Sequence, residues 1–181
     1  LADRTAIVTG GAQGFGAGIA ESLYNLNMNV VVADLNEETG VAFISRLSQK
    51  KSSGRIIFKK TDVSDPDSVK ELVAQTVSEF GGLDLMVSNA GILKAGGLDE
   101  IEPEAFARTT NINYNGFFYC AKYASEVMKI QNLEKPGYFT DIIQINSKSG
   151  LRVSNRNFTY AGAKFGGIGL TQSFALELAP F

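Results

Sequence analysis

The chain has 181 residues, of which 44% are hydrophobic and 20% are charged, the proportions of an ordinary globular protein. Its formal net charge of −2 provides no overall positive field, so we expect neither a nucleic-acid partner nor a membrane partner. The single cysteine excludes an internal disulfide, and the absence of histidine argues against a zinc site, so we predict no metal.

Short β-rich segments alternate with longer amphipathic segments along the chain. The predicted strands are 5–8, 29–34, 55–60, 83–88 and 141–146, and the predicted helices are 14–27, 36–50, 65–80, 103–130 and 155–179. Strands of continuous apolar residues are typical of a parallel sheet that helices cover on both faces. We therefore predict an α/β, doubly wound Rossmann fold with residues 1–181 as a single domain. Because the chain ends in the turn after a helix, we expect that further C-terminal strands are missing.

Turn residues support these boundaries. Asp65 followed by Pro66 is typical of a helix start, and so is Glu102 followed by a proline. The glycines of "FGGLD" at 80–84 lie where one helix must end and the next strand begin.

A glycine-rich segment, "TGGAQGFG" at 9–16, follows the first predicted strand and leads into a helix. Gly10 permits a tight turn, Gly14 lets the backbone approach a pyrophosphate, and Gly16 lets the helix pack closely on the strand. The helix N-terminus adds unpaired amides and a partial positive charge. A turn that merely tolerates glycine is the alternative, but its position in the first βα turn favours a phosphate-binding loop.

The second predicted strand ends in "VVADLN", which places Asp34 about twenty residues beyond the glycine loop. A carboxylate there accepts hydrogen bonds from the hydroxyls of an adenosine ribose and repels a 2′-phosphate. No Arg or Lys follows Asp34 within the next turn, and Gln13 stands in the loop, so we predict NAD rather than NADP. The alternative is that Asp34 is only a solvated strand end or a helix cap.

The third predicted strand is followed by "TDVSD", which contains Asp62 and Val63. In this position Asp62 could accept a hydrogen bond from the adenine amino group while Val63 packs on the ring. The same residue types are also common at the start of a helix, so the predicted adenine contact depends on the position of this segment at the end of a strand.

These segments resemble, in order and along all 181 residues, those of the short-chain dehydrogenase/reductase family. The matching segments are "TGGAQGFG", "SNAG" at 88–91, "NINYNG" at 111–116, "QINSKSG" at 144–150 and "YAGAK" at 160–164. The resemblance implies a catalytic tetrad of Asn113, Ser147, Tyr160 and Lys164. Two positions depart from the family pattern: Ser88 replaces an asparagine, and Asn146 stands where many members have a serine.

Tyr160 and Lys164 are four residues apart, so a helix places them on the same face one turn apart. A phenol is a poor base at neutral pH, but a nearby ammonium and the positive nicotinamide ring both favour the phenolate, so no histidine is needed. The resemblance implies that Tyr160 exchanges the alcohol proton while Ser147 binds the substrate oxygen. It also implies that Lys164 binds the nicotinamide ribose and that Asn113 positions a water. Taken singly, each residue could be a cap, a helix face or a partner for backbone.

The predicted contacts form two sets. Those to the cofactor are Gly10, Gln13, Gly14, Phe15, Gly16, Asp34, Leu35, Asp62, Val63, Asn89, Ala90, Gly91, Tyr160 and Lys164. Those to the substrate are Ser147, Lys148, Arg152 and Tyr160.

Positive charge surrounds the predicted reaction centre. Residues 142–176 contain no Asp or Glu, whereas Lys148, Arg152 and Arg156 lie between Ser147 and Tyr160. This charge favours a polyol or ketose that carries a phosphate, unless the cations pair with carboxylates elsewhere. Within the family, residues 142–150 and 163–173 are most similar to the sorbitol-6-phosphate 2-dehydrogenases, which implies a role in carbohydrate metabolism.

We therefore predict an NAD-dependent oxidoreductase that acts on a secondary alcohol or the matching ketone. The alternatives are an enzyme for an unphosphorylated polyol, sugar or hydroxysteroid-like alcohol, and a non-catalytic NAD-binding regulatory domain. A hydrolase using Ser147 is disfavoured because the chain has no histidine base.

The assembly and location complete the predictions. The segments 103–130 and 155–179 carry many aromatic residues, and the family resemblance implies a homodimer or homotetramer through them. The sequence has no apolar run of about eighteen residues and no export signal, so we expect a cytoplasmic protein.

Overall fold

Five parallel strands form the centre of the computed structural model, which describes residues 1–181. The strands are β1 (Thr5–Thr9), β2 (Asn29–Asp34), β3 (Ile56–Lys60), β4 (Leu85–Ser88) and β5 (Asp141–Gln144). Their order across the sheet is β3-β2-β1-β4-β5, and every neighbouring pair is parallel. The direction of the connections reverses between β1 and β4, where such sheets leave a crevice at the carboxyl ends of their strands. The predicted doubly wound α/β fold is confirmed.

Six α-helices connect and cover the strands. They are α1 (Gly14–Asn25), α2 (Glu37–Leu47), α3 (Pro66–Phe80), α4 (Pro103–Thr110), α5 (Gly116–Glu134) and α6 (Phe158–Leu178). The predicted helix at 103–130 is α4 and α5 joined by a π-helical segment, Asn111–Asn115, which the apolar periodicity did not reveal. Such π segments are frequent at functional sites, and this one contains Asn113. A 3-10 turn, Lys148–Gly150, follows β5.

The predicted helix boundaries on α3 are confirmed. The Asp65 side chain accepts a hydrogen bond from the Asp67 amide at the start of α3, and Pro66 is its first residue. Gly81 ends the helix with a φ of 83°, a left-handed conformation that favours glycine. Glu102 precedes α4, but its side chain makes no capping hydrogen bond.

The core lies on both faces of the sheet because successive residues of each strand point to opposite sides. On β1, Ile7 packs with residues of α3 and α5, whereas Val8 packs with residues of α1 and α2. Both side chains are fully buried. The central strands are therefore fixed from two sides, and the loops at their carboxyl ends start from rigid positions. None of the helices is long and apolar enough to span a membrane.

Candidate active site

A cleft of about 690 Å³ lies at the carboxyl ends of the central strands. Its volume is in the range of ordinary ligand and cofactor sites. The cleft is lined by most of the predicted site residues, which are Gly10, Gln13, Phe15, Asp34, Leu35, Asp62, Val63, Asn89, Ala90, Gly91, Ser147, Tyr160 and Lys164. A smaller apolar cavity of about 200 Å³ between α5, β5 and α6 contains none of them. The larger cleft is therefore the candidate active site.

The glycine loop has the backbone that the motif predicts. Gly10 and Gly14 have φ values of 60° and 56°, a region that side chains other than glycine rarely adopt. A Cβ atom at position 16 would lie 2.1 Å from the Gly10 carbonyl oxygen, so only glycine lets α1 approach the loop this closely. A Cβ atom at position 14 would meet no atom within 4 Å. The side of Gly14 is therefore open, although neither Gly14 nor Gly16 is among the residues that line the cleft.

The start of α1 offers unpaired amides beside this open side. Gln13 precedes the helix with extended backbone and makes no capping hydrogen bond with its side chain. The first amides of a helix have no partner within the helix. They are available to an anion, and the helix dipole favours negative charge at the same place.

Asn89 and Thr9 join the ends of β4 and β1. The Asn89 side-chain amide donates to the carbonyl oxygens of Thr9 and Gly10 at 3.0 and 3.1 Å. The Thr9 hydroxyl accepts from the backbone amides of Asn89 and Ala90 at 3.1 and 3.2 Å. Asn89 lines the cleft as predicted, but its amide is used to fix the glycine loop. The Thr9 hydroxyl takes part in two of these four hydrogen bonds, although Thr9 was not among the predicted site residues. Its position as the first residue of the glycine-rich segment is the one sequence signal for this role.

Asp34 lies at the end of β2, half-buried at the side of the cleft. Its Oδ2 accepts from the Ala12 amide at 3.1 Å, and its Oδ1 accepts from the Asn36 amide at 3.0 Å. Each carboxylate oxygen has a second lone pair, so both can also accept from a ligand hydroxyl. Asp34 forms no ion pair, which leaves its negative charge unneutralised.

Asp62 and Val63 follow β3 at the opposite end of the cleft from the catalytic segment. Asp62 Oδ1 accepts from the Ser64 amide at 2.9 Å and from the Ser64 hydroxyl at 2.6 Å. Asp62 therefore also stabilises the turn before α3, the helix-start role that the sequence offered as the alternative. Asp62 Oδ2 has no hydrogen-bond partner in the protein and is free for a ligand. Val63 is buried against Gly116, where a Cβ atom would lie 3.2 Å from Val63 Cγ2.

Tyr160 and Lys164 lie one turn apart on α6, as the spacing predicted. The Lys164 Nζ lies 5.6 Å from the centre of the Tyr160 ring and donates a hydrogen bond to the Ile145 carbonyl oxygen at 2.6 Å. Lys164 is 5% exposed and has no acidic partner. Burial therefore lowers the pKa of the Lys164 ammonium below its ordinary value.

Ser147 lies three residues after the end of β5 and lines the cleft together with Tyr160. Its hydroxyl oxygen accepts from the Ser149 amide at 3.2 Å and begins the 3-10 turn. The hydroxyl proton is not used in that contact and can be donated to a ligand oxygen. The capping role and the proposed role in binding substrate are therefore compatible.

Asn113 differs from the expectation. It is buried, does not line the cleft, and its amide donates to the Ile92 carbonyl oxygen while its Oδ1 accepts from the Ile92 amide, both at 2.8 Å. A buried amide needs such partners, and the Ile92 backbone satisfies both of its ends. The side chain therefore fixes the segment after β4 rather than facing the ligand. Its predicted contact with a water at Lys164 would have to involve another atom of the residue.

The predicted cations are also placed differently. Lys148 and Arg152 are exposed and are not among the residues that line the cleft, because the turn after Ser147 carries them outward. Arg156 forms an ion pair with Glu100, the alternative that the sequence left open. A cation that the sequence analysis missed, Arg108 on α4, does line the cleft and forms no ion pair. It belongs to no motif, so nothing in the sequence distinguished it from a surface residue.

Comparison with known proteins agrees with this geometry. A family model described as short chain dehydrogenase matches residues 4–181. The chain belongs to the short-chain dehydrogenase family. The predicted family is thereby confirmed, and the protein is an oxidoreductase that acts on CH–OH groups.

Several relatives of this short-chain dehydrogenase are similar over nearly its whole length. The 2,5-dichloro-2,5-cyclohexadiene-1,4-diol dehydrogenase of Sphingobium indicum is 36% identical over 98% of this chain and 67% of the relative. The sorbitol-6-phosphate 2-dehydrogenase of Escherichia coli strain K12 is 34% identical over 99% of this chain and 67% of the relative. The crystal structure of a short-chain type dehydrogenase/reductase from Mycobacterium marinum has a TM-score of 0.91 at 28% identity, covering 99% of this chain and 71% of that one.

Proposed function

We propose that this short-chain dehydrogenase transfers a hydride between a secondary alcohol and NAD. The observation that supports the proposal is the shared cleft: Ser147, Tyr160 and Lys164 line the same cavity as the glycine loop and Asp34. A cofactor held by the loop and the acid would extend along the cleft toward the three polar groups. The smaller cavity contains none of the predicted cofactor or catalytic residues.

The residues present fit a dinucleotide. The open side of Gly14 and the unpaired amides of α1 would bind the pyrophosphate. Asp34 would accept hydrogen bonds from the adenosine ribose, and its unneutralised charge would repel a 2′-phosphate, which supports NAD over NADP. Asp62 Oδ2 and Val63 would receive the adenine.

The chemistry needs a proton acceptor and a group that binds the substrate oxygen. A bound nicotinamide cofactor would supply the hydride acceptor for the alcohol carbon. Tyr160 would take the hydroxyl proton, with the Lys164 ammonium 5.6 Å from the centre of its ring. Ser147 donates its hydroxyl proton to the substrate oxygen and keeps that oxygen in place during the transfer. In the reductive direction Tyr160 returns the proton.

A steady-state screen tests the proposal. Secondary alcohols are offered with NAD⁺ and with NADP⁺, and formation of the reduced cofactor is followed by its absorbance. We expect turnover with NAD⁺ and much weaker turnover with NADP⁺. Tight NADH binding without turnover of any alcohol would instead support the non-catalytic NAD-binding domain.

For the substrate we favour a sugar-alcohol phosphate such as sorbitol 6-phosphate. Arg108 lines the cleft without an acidic partner, so one unpaired cation is available there to a phosphate, whereas Lys148 and Arg152 lie outside the cleft. The Escherichia coli relative carries the matching name. Oxidation of sorbitol 6-phosphate is compared with oxidation of sorbitol; equal kcat/KM values would contradict a phosphate contact.

An unphosphorylated cyclic alcohol is the second candidate. The Sphingobium indicum relative, at 36% identity, is named for a cyclohexadiene diol, and a relative from Sinomonas cyclohexanicum, at 34%, is named for trans-4-hydroxycyclohexanecarboxylate. Neither name contains a phosphate. A cyclohexanediol in the same screen distinguishes this candidate from the first.

The assembly and location are proposed with the activity. Exposed aromatic residues on α5 and α6, Phe118 and Phe165, support a homodimer or homotetramer. We propose a cytoplasmic location, with which the buried free thiol of the only cysteine, Cys120, is compatible. Light scattering of the purified protein measures the subunit number.

A further inference from the structure

Asn146 joins the two segments of chain that supply the reacting groups. It lies between β5 and the 3-10 turn, next to Ser147 and across from α6. Its Oδ1 accepts a hydrogen bond from the Ser147 amide at 2.7 Å, and its Nδ2 donates to the carbonyl oxygen of Lys164 at 3.1 Å. One side-chain amide therefore contacts the backbone of both residues.

The same amide is tied to the sheet. Asn146 Nδ2 also donates to Gln144 Oε1 at 3.0 Å, so both of its hydrogens and its oxygen are used. Lys164 is connected back to the same short segment, because its Nζ donates to the carbonyl oxygen of Ile145 at 2.6 Å. The backbone and the ammonium of Lys164 are therefore bound to consecutive residues at the end of β5.

Two glycines make the space for this arrangement. A Cβ atom at position 150 would lie 2.3 Å from Asn146 Oδ1, so a side chain there would displace the amide. A Cβ atom at position 167, on α6, would lie 2.2 Å from Gln144 Nε2. Glycine at both positions is what allows the Asn146 and Gln144 side chains to lie between β5, the 3-10 turn and α6.

We propose that Asn146 is a positioning residue that sets the separation of the Ser147 hydroxyl from the Lys164 ammonium. The inference rests on the proposed function for what those two groups do. The serine that many family members carry here has one donor hydrogen on a shorter side chain. It cannot bind the Ser147 amide, the Lys164 carbonyl and Gln144 as the asparagine does.

The test uses N146A, G150A and the N146A/G150A double variant in the full chain. N132A is the control, because the Asn132 amide also bonds a backbone carbonyl oxygen, that of Tyr138, away from the cleft. Four quantities are measured: kcat and KM for the best alcohol of the screen, the dissociation constant for NADH, and the hydrogen-exchange rate of the Ser147 amide. Thermal unfolding verifies that each variant is folded under the assay conditions.

For N146A we expect kcat to fall by about 10- to 100-fold with NADH affinity little changed, because misplacement of reacting groups by about 1 Å costs this much. The Ser147 amide should exchange faster, since its acceptor is gone. G150A should reproduce both effects by displacing the amide, and the double variant should be no worse than N146A. N132A should leave kcat and the Ser147 exchange rate unchanged.

An N146A protein with normal kcat and normal Ser147 exchange would overturn the proposal, as would additive losses in the double variant. If N146A is not folded, N146D replaces it, since a carboxylate keeps an acceptor for Ser147 but loses the donor to Lys164. N146D should then keep Ser147 protected while kcat still falls; an N146D variant with normal kcat overturns the proposal. Hydrogen exchange needs no substrate, so an inactive wild-type protein would count against the proposed function while the exchange rates still test the Asn146 contact.

Discussion

The ammonium nitrogen of Lys164 lies 5.6 Å from the centre of the Tyr160 ring and is bound to the Ile145 carbonyl oxygen. The carbonyl fixes the ammonium in place, so its position beside the phenol does not depend on a bound ligand. A positive charge in a mostly buried position acts on its neighbour with little screening by water. In the proposed function this relationship would support the proton exchange that we assign to Tyr160 in a chain without histidine.

Replacing Tyr160 by Phe tests the proton acceptor directly. We expect kcat to fall by about 10²- to 10⁴-fold, the usual contribution of a general acid or base, while NADH binding is nearly unchanged. Y123F is the matched control, because Tyr123 lies on α5 outside the cleft. Steady-state rates and NADH fluorescence titration give the two quantities. Substantial turnover by Y160F would remove Tyr160 from the mechanism.

The alkaline pH dependence should reflect Lys164. Burial lowers the pKa of Lys164 from the ordinary 10.5, so the ammonium loses its proton at a lower pH than an exposed lysine. Because the charged form is the useful one, kcat/KM should decline as the pH rises through this lowered pKa, and the decline should begin below pH 10.5. A K164R variant, whose guanidinium stays charged, should be slower but should lack this decline. An unchanged alkaline limb in K164R would assign the titration to another group.

The same lowered pKa of Lys164 should act on stability in the opposite direction: rising pH lowers kcat/KM but increases the free energy of unfolding. Between the folded-state pKa and 10.5 the unfolded chain binds more protons at Lys164 than the folded chain does. The contribution of Lys164 to the free energy of unfolding should therefore become more favourable as the pH rises through this interval. Urea unfolding of the wild type and of K164M across this pH range gives the contribution of Lys164 as the difference between their free energies of unfolding. A difference that is independent of pH would contradict the burial effect.

The cofactor preference should depend on Asp34. In D34N only one of the two backbone amides keeps an acceptor, because an NH2 group replaces the other oxygen, and the negative charge that repels a 2′-phosphate is gone. Hydrogen bonds to charged groups contribute about 1.5–3 kcal/mol, so we expect the NAD⁺ to NADP⁺ ratio of kcat/KM to fall by about 10- to 100-fold. E37Q is the control, since Glu37 is an exposed carboxylate on the neighbouring α2 that does not line the cleft. If the ratio is the same in D34N, Asp34 does not select the cofactor.

The fold could be predicted from the sequence because its signals are local and repeated. Continuous apolar strands such as 29–34, amphipathic helices and turn residues such as Gly81 all indicate the same parallel architecture. The break at Asn111–Asn115 could not be predicted, because a π segment shifts the hydrogen-bond pattern without changing the apolar residues that face the core.

Sequence spacing indicates which residues share a helix face or a loop, but it does not indicate the contacts between distant segments. Tyr160 and Lys164 share a helix face, and the glycine loop follows a strand, so sequence spacing fixes their geometry. The contact of Asn113 with Ile92 joins residues 21 apart and depends on how α4 and the loop after β4 pack. The same holds for Arg108, which reaches the cleft only through the position of α4. The types of residue along the chain do not by themselves indicate which distant segments pack together.

The opposite end of the sheet contains a polar contact that should govern stability at high pH. The Tyr138 hydroxyl donates to Asp84 Oδ1, while Asp84 Oδ2 accepts from the Thr5 amide at 2.7 Å. The hydrogen bond to Asp84, with burial, raises the pKa of Tyr138 above its ordinary 10.0. A raised pKa in the folded state means that the stabilisation is complete below pH 10 and is lost as the pH rises through the folded-state value.

We therefore expect Y138F to lower the free energy of unfolding by about 1 kcal/mol at neutral pH, and the difference from wild type to shrink above pH 10. Urea unfolding at pH 7 and in alkaline buffers measures both values. Y123F serves again as the control, because Tyr123 lies on α5 and its hydroxyl makes no hydrogen bond in the structure. NADH affinity should not change in Y138F, since Tyr138 lies outside the cleft. A Y138F variant as stable as wild type at pH 7 would mean that Asp84 is satisfied by Thr5 alone.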